Sequence, residues 1–406
     1  MSYSNESVQA ILQEFGSPVY LYDVDAINQR YEDLHLAFSQ CYPKSHIALS
    51  YKTCPLLGIL KTLQKKGAMP EVVSEFECDM ANLLKPQKMI INGPHKTDKM
   101  LSQAIEQQSI INIDHQEEIV RINVLAKQLG KIAKVGVRLS LGDGWNRFGF
   151  EYDETLWSRI NALQDQQSHL KIVGVHVHLG TGIRDYNVFA TAASKLAKAL
   201  SLWPFNWPIE WIDLGGGLAG ISPKWQEEIE QHELPCLHSY AKAWLTPLTK
   251  ILSLHAPLLI VEPGRTLFEP FGNLLTQVVT RRHGDSEKQS LVINGGINAV
   301  PTARVYRHPL HSQQRLSGLS SDTHKLSTNL YGPLCLQADT LAKDTQLEPL
   351  KSGDWILLKG VGAYNQSRSV PFIQTRPGVA GLVNGKWQWL RHHETVSDHL
   401  KLEVWS

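Results

Sequence analysis

An alternation limits what this chain can fold into more than any other feature. Through its first two thirds, short apolar runs take turns with longer stretches of helical periodicity. The runs are HIALSY (46–51), EVVS (71–74), MIING (89–93), IINID (110–114), KVGVRLS (134–140), IVGVHVHLG (172–180), EWIDLGGG (210–217) and LLIVEPGR (258–265). Between them lie segments such as PLLGILKTLQKKG, QEEIVRINVLAKQLG and NVFATAASKLAKAL, which carry the helical pattern. Strand and helix in strict alternation imply βα units and a parallel sheet. Roughly eight such units in about 240 residues predict a closed (β/α)8 barrel of the TIM type. The competing open, doubly wound sheet would carry its Gly-rich turn after the first strand. Here the three glycines follow the seventh.

The texture changes after Arg265. SLVING, DWILLKG, GVAGLV and KWQWLRHH are short strand-like runs separated by Gly, Pro and Asp turns, the pattern of a β-domain. The early run SPVYLYD (17–23) precedes the barrel and is expected to join that domain. The expected division is therefore 1–27 with the β-domain, 28–265 as the barrel and 266–406 as the C-terminal β-domain. The polar stretch 308–328 reads as a surface loop.

A chain of 406 residues has room for two such domains. Its 40 Lys and Arg balance 39 Asp and Glu, so no long-range field gathers nucleic acid or an anionic membrane. No apolar stretch reaches the length of a membrane span, and the start has neither the basic nor the apolar region of a signal peptide. Cysteines at 41, 54, 78, 236 and 335 have no CxxC spacing, which argues against a disulfide framework or a zinc site. The expectation is a cytoplasmic protein without a structural metal.

In a barrel the chemistry lies at the C-terminal ends of the strands. The first strand ends at Lys52, and the second run begins with Glu71. The sixth ends in His178-Leu179-Gly180-Thr181-Gly182, the seventh in Gly215-Gly216-Gly217 and the eighth in Glu262-Pro263-Gly264-Arg265. Taken singly, each has a bland reading: a solvated lysine, a hydrogen-bonded histidine, a glycine turn, a surface ion pair. Taken together they describe a phosphate pocket with an amine beside it. Glycines let backbone N–H groups approach an anion, and the loop after the seventh strand is a customary phosphate position in barrels. Arg265 adds a guanidinium suited to phosphate. Lys52 could form a Schiff base with a carbonyl cofactor, and Glu262 could keep a ring nitrogen protonated.

At this point a resemblance becomes specific. The sequence resembles the fold-type III pyridoxal phosphate (PLP) decarboxylases, the group of the diaminopimelate, ornithine and arginine decarboxylases, from SPVYLYD to GAYNQS. YKTC resembles that family's lysine motif, HVHLGTG its histidine-glycine motif, DLGGG its phosphate loop and EPGR its cofactor-ring motif. In the β-domain, Gly332-Pro333-Leu334-Cys335 resembles its catalytic cysteine motif and Gly362-Ala363-Tyr364 its phosphate-contacting tyrosine. The resemblance implies PLP as the cofactor, carried on Lys52, with Glu71 near it and His178 stacked on its ring. It assigns the phosphate to Thr181, Gly216, Gly217, Arg265 and Tyr364, and the ring nitrogen to Glu262. Cys335 would approach from a second subunit and protonate the carbon after CO2 leaves, which implies a homodimer with shared sites. The plainer alternative for a lone cysteine is a small core residue.

The departures from the family concern the substrate. Diaminopimelate decarboxylases follow the cysteine with a Glu, where this chain has Leu336. Their distal arginine falls on Thr302 when GGINAVPTARVY is aligned without gaps. Ornithine decarboxylases place an Asp after a tyrosine, where Tyr306 is followed by Arg307. The alternative is a slipped register, or an Arg307 that faces solvent. The resulting expectation is an amino acid or amino-acid-containing metabolite other than diaminopimelate or ornithine. Its tail would be anionic and read by Tyr306, Arg307 and Leu336, as in siderophore or other secondary biosynthesis. An amino-acid racemase on the same fold is disfavored by Glu262 and Cys335. A non-catalytic PLP-binding homologue is disfavored by the presence of both Lys52 and Cys335.

Overall fold

The computed structural model describes residues 4–141, 147–225, 233–313 and 324–404. Its chain divides into two compact units, Asn28–Ala219 with Pro235–Arg265, and Met1–Ile27 with Gly220–Leu234 and Thr266–Ser406.

The first unit is the barrel. Its strands are Ser45–Ser50, Met69–Val72, Ile90–Ile91, Ile110–Ile113, Ala133–Ser140, Leu170–Val177, Trp211–Asp213 and Leu258–Val261. Each pairs in parallel with the next, and the eighth returns to the first with Leu259 opposite Ser45, which closes the ring. Every apolar run of the sequence therefore supplies one strand. The helices between them start where short polar side chains can hold the first free N–H groups. Ser74, Thr97 and Asp185 each cap the helix that follows, accepting from Glu77, Met100 and Asn187. Branched and aromatic residues fill the space between strands and helices. Ile47, Leu60, Val72, Ile122, Val175 and Leu196 are at most 1% exposed. Each such burial stabilises the fold by about 1.5–3 kcal/mol. Inside the ring, Gly136 and Gly174 leave room for the indole of Trp211; a Cβ on either would collide with it.

The second unit is built on a mostly antiparallel sheet. Val19–Asp23 lies in its middle, antiparallel to Gly272–Gly284 and parallel to Gly378–Val383. The helix Asn5–Phe15 adds Val8, Ile11 and Phe15 to a core completed by Leu275, Trp355, Leu357 and Ala380. Two sequence expectations need correction. Residues 220–225, counted with the barrel, group with the sheet unit. Ser222 donates its N–H to Glu269, and the Trp225 indole N–H donates to Ala303. The stretch expected to be a loop contains two strands, Leu310–Gln313 and the start of Leu326–Tyr331, each hydrogen-bonded within the sheet. The rest of that expected loop, 314–323, lies outside the described residues.

Candidate active site at the mouth of the barrel

Lys52 follows the first strand, and its ammonium lies 2.7 Å from the Glu71 carboxylate. The lysine side chain is about one third exposed, whereas Glu71 is buried. Ser50 also donates to Glu71, at 2.6 Å. From the end of the third strand, the Asn92 amide bridges two acids. It donates to Glu71 at 3.1 Å and to Glu262 at 2.6 Å. Glu262 is 3% exposed. Its carboxylate is 3.8 Å from His176 Nε2 and 3.9 Å from His178 Nδ1.

His178 Nδ1 accepts the backbone N–H of Gly216 at 3.2 Å, which leaves the proton of a neutral ring on Nε2. Burial lowers its pKa to about 4, against the pull of Glu262. The ring is therefore uncharged at neutral pH. Close by, Arg265 Nε donates to the Thr181 hydroxyl at 3.0 Å. Gly215 adopts a left-handed conformation (φ +62°), and a Cβ there would run into the Val177 carbonyl. That turn sets Gly216 beside His178 and lets Gly215 accept the Glu262 N–H at 2.8 Å. The barrel members of the expected site, namely Lys52, Glu71, His178, Thr181, Gly216, Gly217, Glu262 and Arg265, thus belong to one unit. A cavity of about 210 Å³ is lined by Lys52, Glu71, Asn92, His176, His178 and Glu262, with Arg138 and Phe148 at its side.

Reading the sequence missed four residues. Asn92 and Asp213 sit at the ends of the MIING and WID runs. Arg138 stands inside KVGVRLS, buried and 3.2 Å from Asp114, with Phe148 under its guanidinium. His176 is two positions before His178. Polar residues inside apolar runs were the available signal, because a half-buried strand alternates its faces. A larger cavity of about 490 Å³ opens among strand starts, beside Met69, Ile110, Ala133, Trp211 and Leu258. It lies at the end of the strands that barrels do not use for chemistry, and it lacks the histidines and buried acids of the mouth.

The remaining expected residues belong to the sheet unit. Cys335 is exposed, so it is not the small core residue that a lone cysteine often is. Its turn is held from below by Asp339. That buried carboxylate accepts the N–H groups of Leu334 and Ile297, both at 2.8 Å. Leu336 is 41% exposed. Tyr306 is buried and Arg307 half-buried, its N–H donating to the Pro223 carbonyl at 2.9 Å. Tyr364 has a left-handed backbone (φ +61°), a conformation that costs energy for a residue with a Cβ and collects at functional turns.

The barrel's donor set fits PLP. It combines an amine, a neutral flat ring, a buried carboxylate and a guanidinium–hydroxyl pair beside a glycine turn. Comparison with known proteins points the same way. Residues 25–269 match the model of the pyridoxal-dependent decarboxylase pyridoxal-binding domain. Diaminopimelate decarboxylase of Helicobacter pylori strain J99 is 28% identical, over 98% of this chain and 98% of its own. That of Aquifex aeolicus is 26% identical, over 96% and 92%. The crystal structure of diaminopimelate decarboxylase from Helicobacter pylori complexed with L-lysine superimposes with a TM-score of 0.84. It is 25% identical and covers 97% of this chain and 98% of its own.

These relatives overturn the expectation of a substrate other than diaminopimelate, with an anionic tail and a siderophore-type role. The expectation leaned on a gap-free count through 295–306, and the structure shows why such a count is weak. Pro301–Arg304 forms a 3-10 turn. Thr302, the position on which the gap-free count put the family's distal arginine, is buried there, bonded to His308 at 2.8 Å and Asn365 at 2.6 Å.

Proposed function

We propose, from the premise that this chain belongs to the pyridoxal-dependent decarboxylase family, that it removes one α-carboxylate of diaminopimelate and so forms lysine. The chain is a PLP-dependent carboxy-lyase. The Lys52–Glu71–Asn92–Glu262 chain of contacts at the mouth of the barrel carries the cofactor part of this reading. The diaminopimelate decarboxylases that this chain resembles along nearly their whole length carry the substrate part. When bound, PLP supplies an electron sink for the pair left behind by CO2.

The protein's part is to bind, orient and move protons. Lys52 would hold the aldehyde carbon, with Glu71 steering the amine. Arg265, Thr181, Gly216 and Gly217, with Tyr364, would take the phosphate. Neutral His178 would lie against the ring without repelling a ring cation. Glu262 would hold a proton at the ring nitrogen, since a buried carboxylate favors a cation beside it. Cys335 of a second copy would deliver the proton that replaces the carboxylate. Its exposure, with Leu336, Phe372 and Ile373 also exposed in the same unit, supports a homodimer with shared sites. Tyr306, Arg307 and Leu336 remain proposed substrate contacts. The cysteines at 41, 54, 78, 236 and 335 are not joined in disulfides, which suits a reducing, cytoplasmic setting, and no helix among the described residues is long and apolar enough to cross a membrane.

The test is CO2 release and product analysis with diaminopimelate, lysine, ornithine and arginine. Diaminopimelate should yield CO2 and lysine in equal amounts. Release from another substrate with none from diaminopimelate would overturn the substrate. Borohydride reduction followed by peptide mapping should place the pyridoxyl group on Lys52, and a label on a different lysine would overturn that assignment.

A further inference from the structure

Asp213 ends the seventh strand, with Ile260 of the eighth opposite it, and its side chain is fully buried. Glu262, two residues beyond Ile260, is nearly as deep. Two buried acids thus lie at the ends of neighboring strands. Neutral amides tie them together. Asn112 Nδ2 donates to Asn92 Oδ1 and to Asp213 Oδ2, both at 2.9 Å, while Asn92 donates to Glu262. Asn112 is itself held by the Trp211 indole N–H at 3.1 Å, and Gly215 N–H reaches Asp213 Oδ1 at 3.0 Å.

The charged groups around this pair are committed elsewhere. Lys52 bonds Glu71, and Arg138 bonds Asp114. His176, opposite Asp213 on the sixth strand, is kept neutral by burial. Glu71, a third acid, adds to the repulsion felt by Asp213. Two buried ionised carboxylates repel strongly, so one retains its proton. Burial first, then the charge of Glu262, holds the Asp213 carboxyl well above the usual carboxylate range.

We propose that Asp213 is a positioning residue that keeps its proton and donates it in a hydrogen bond to Glu262, so that Asp213 and Asn92 together orient the Glu262 carboxylate and leave the negative charge on it. The inference rests on the reading that Glu262 serves the cofactor ring. A charge on Asp213 instead would draw the proton onto Glu262 and remove the partner of a ring cation.

Infrared spectroscopy of the full-length holoenzyme at neutral pH tests the proton directly. With 13C-aspartate labelling, the wild type should show a protonated carboxylic acid C=O band that shifts with the label and is absent from Asp213→Asn. Loss of an ionised carboxylate band instead would overturn the proposal. Kinetics test the positioning. Asp213→Asn, whose amide can still donate, should retain at least about a third of kcat, whereas Asp213→Ala should lose roughly tenfold or more with KM little changed. Equal losses in both variants would overturn the donor role, and if the alanine variant does not fold, the infrared result on the other two decides. Glu262→Gln separates the two readings. If its kcat is unchanged while the Asp213 band persists in the wild type, the ring role of Glu262 fails and the location of the proton stands.

Discussion

In the barrel, Glu71 and Glu262 are almost wholly buried and bonded to neighbors on other strands. In the sheet unit, Cys335 and Leu336 stand exposed on a turn whose support comes from below, through Asp339. The two regions hold the proposed functional groups by different means. A network inside a closed ring cannot lose a member without leaving a buried polar group unpaired, so chemistry and stability are coupled there. A side chain displayed on a pinned turn can change with little effect on the fold. Substitutions in the barrel should therefore damage both properties, and substitutions at the displayed turn only one.

The largest effect should test the displayed turn. Cys335→Ala removes the proposed proton donor and should cut turnover by roughly 10²–10⁴-fold. The same change should alter stability by less than about 0.5 kcal/mol, as surface substitutions do. Mixing Cys335→Ala with Lys52→Ala chains should regenerate some active sites if each site draws on two copies. Turnover that stays absent although hybrids form would remove the shared site, and a large fall in stability would erase the contrast between the regions.

Next comes a barrel substitution. Lys96 and Glu118 form an ion pair at 2.8 Å with side chains at most 1% exposed, and Lys96 also donates to the Gly93 carbonyl beside the cavity. Glu118→Ala strands a buried cation and should cost about 3–5 kcal/mol, read as a lower denaturant midpoint. A change no larger than that of Cys335→Ala would show that the barrel tolerates broken pairs and that the comparison is false.

The smallest effect is a pH dependence. His178 has its pKa lowered to about 4 in the fold, against about 6.5 when unfolded. Protonation then favors the unfolded chain. The contribution is complete above pH ~6.5 and is lost as pH falls toward ~4. The cofactor-free chain should lose stability over that window, and His178→Gln should lose less. Identical pH profiles for the two would place the titrating group elsewhere.

The barrel was legible because its signal is periodic. Each of the eight apolar runs became a strand, since a parallel strand buried on both faces needs a near-continuous apolar run. The lysine, histidine-glycine, glycine and EPGR motifs were legible because each occupies a strand end. Asn92, Arg138, His176 and Asp213 left only a weaker signal, polar residues inside apolar runs, whose roles depend on partners on other strands. The substrate reading failed for a related reason. It took Leu336, Thr302 and Arg307 from position counts alone, and counting across an irregular segment assumes a register that only hydrogen bonds define; Thr302 is turned inward to His308 and Asn365.

By itself the sequence determined the order of the elements, the two textures of the chain and the types of residue at each strand end. These depend on local pattern, on side-chain alternation and on the conformations that glycine alone adopts freely. Tertiary structure decided which acids share a space, which amides join them and that Cys335 is displayed while Thr302 is buried. Those outcomes depend on distances between residues as far apart in the chain as Asn92 and Glu262. Such distances exist only once the ring has closed.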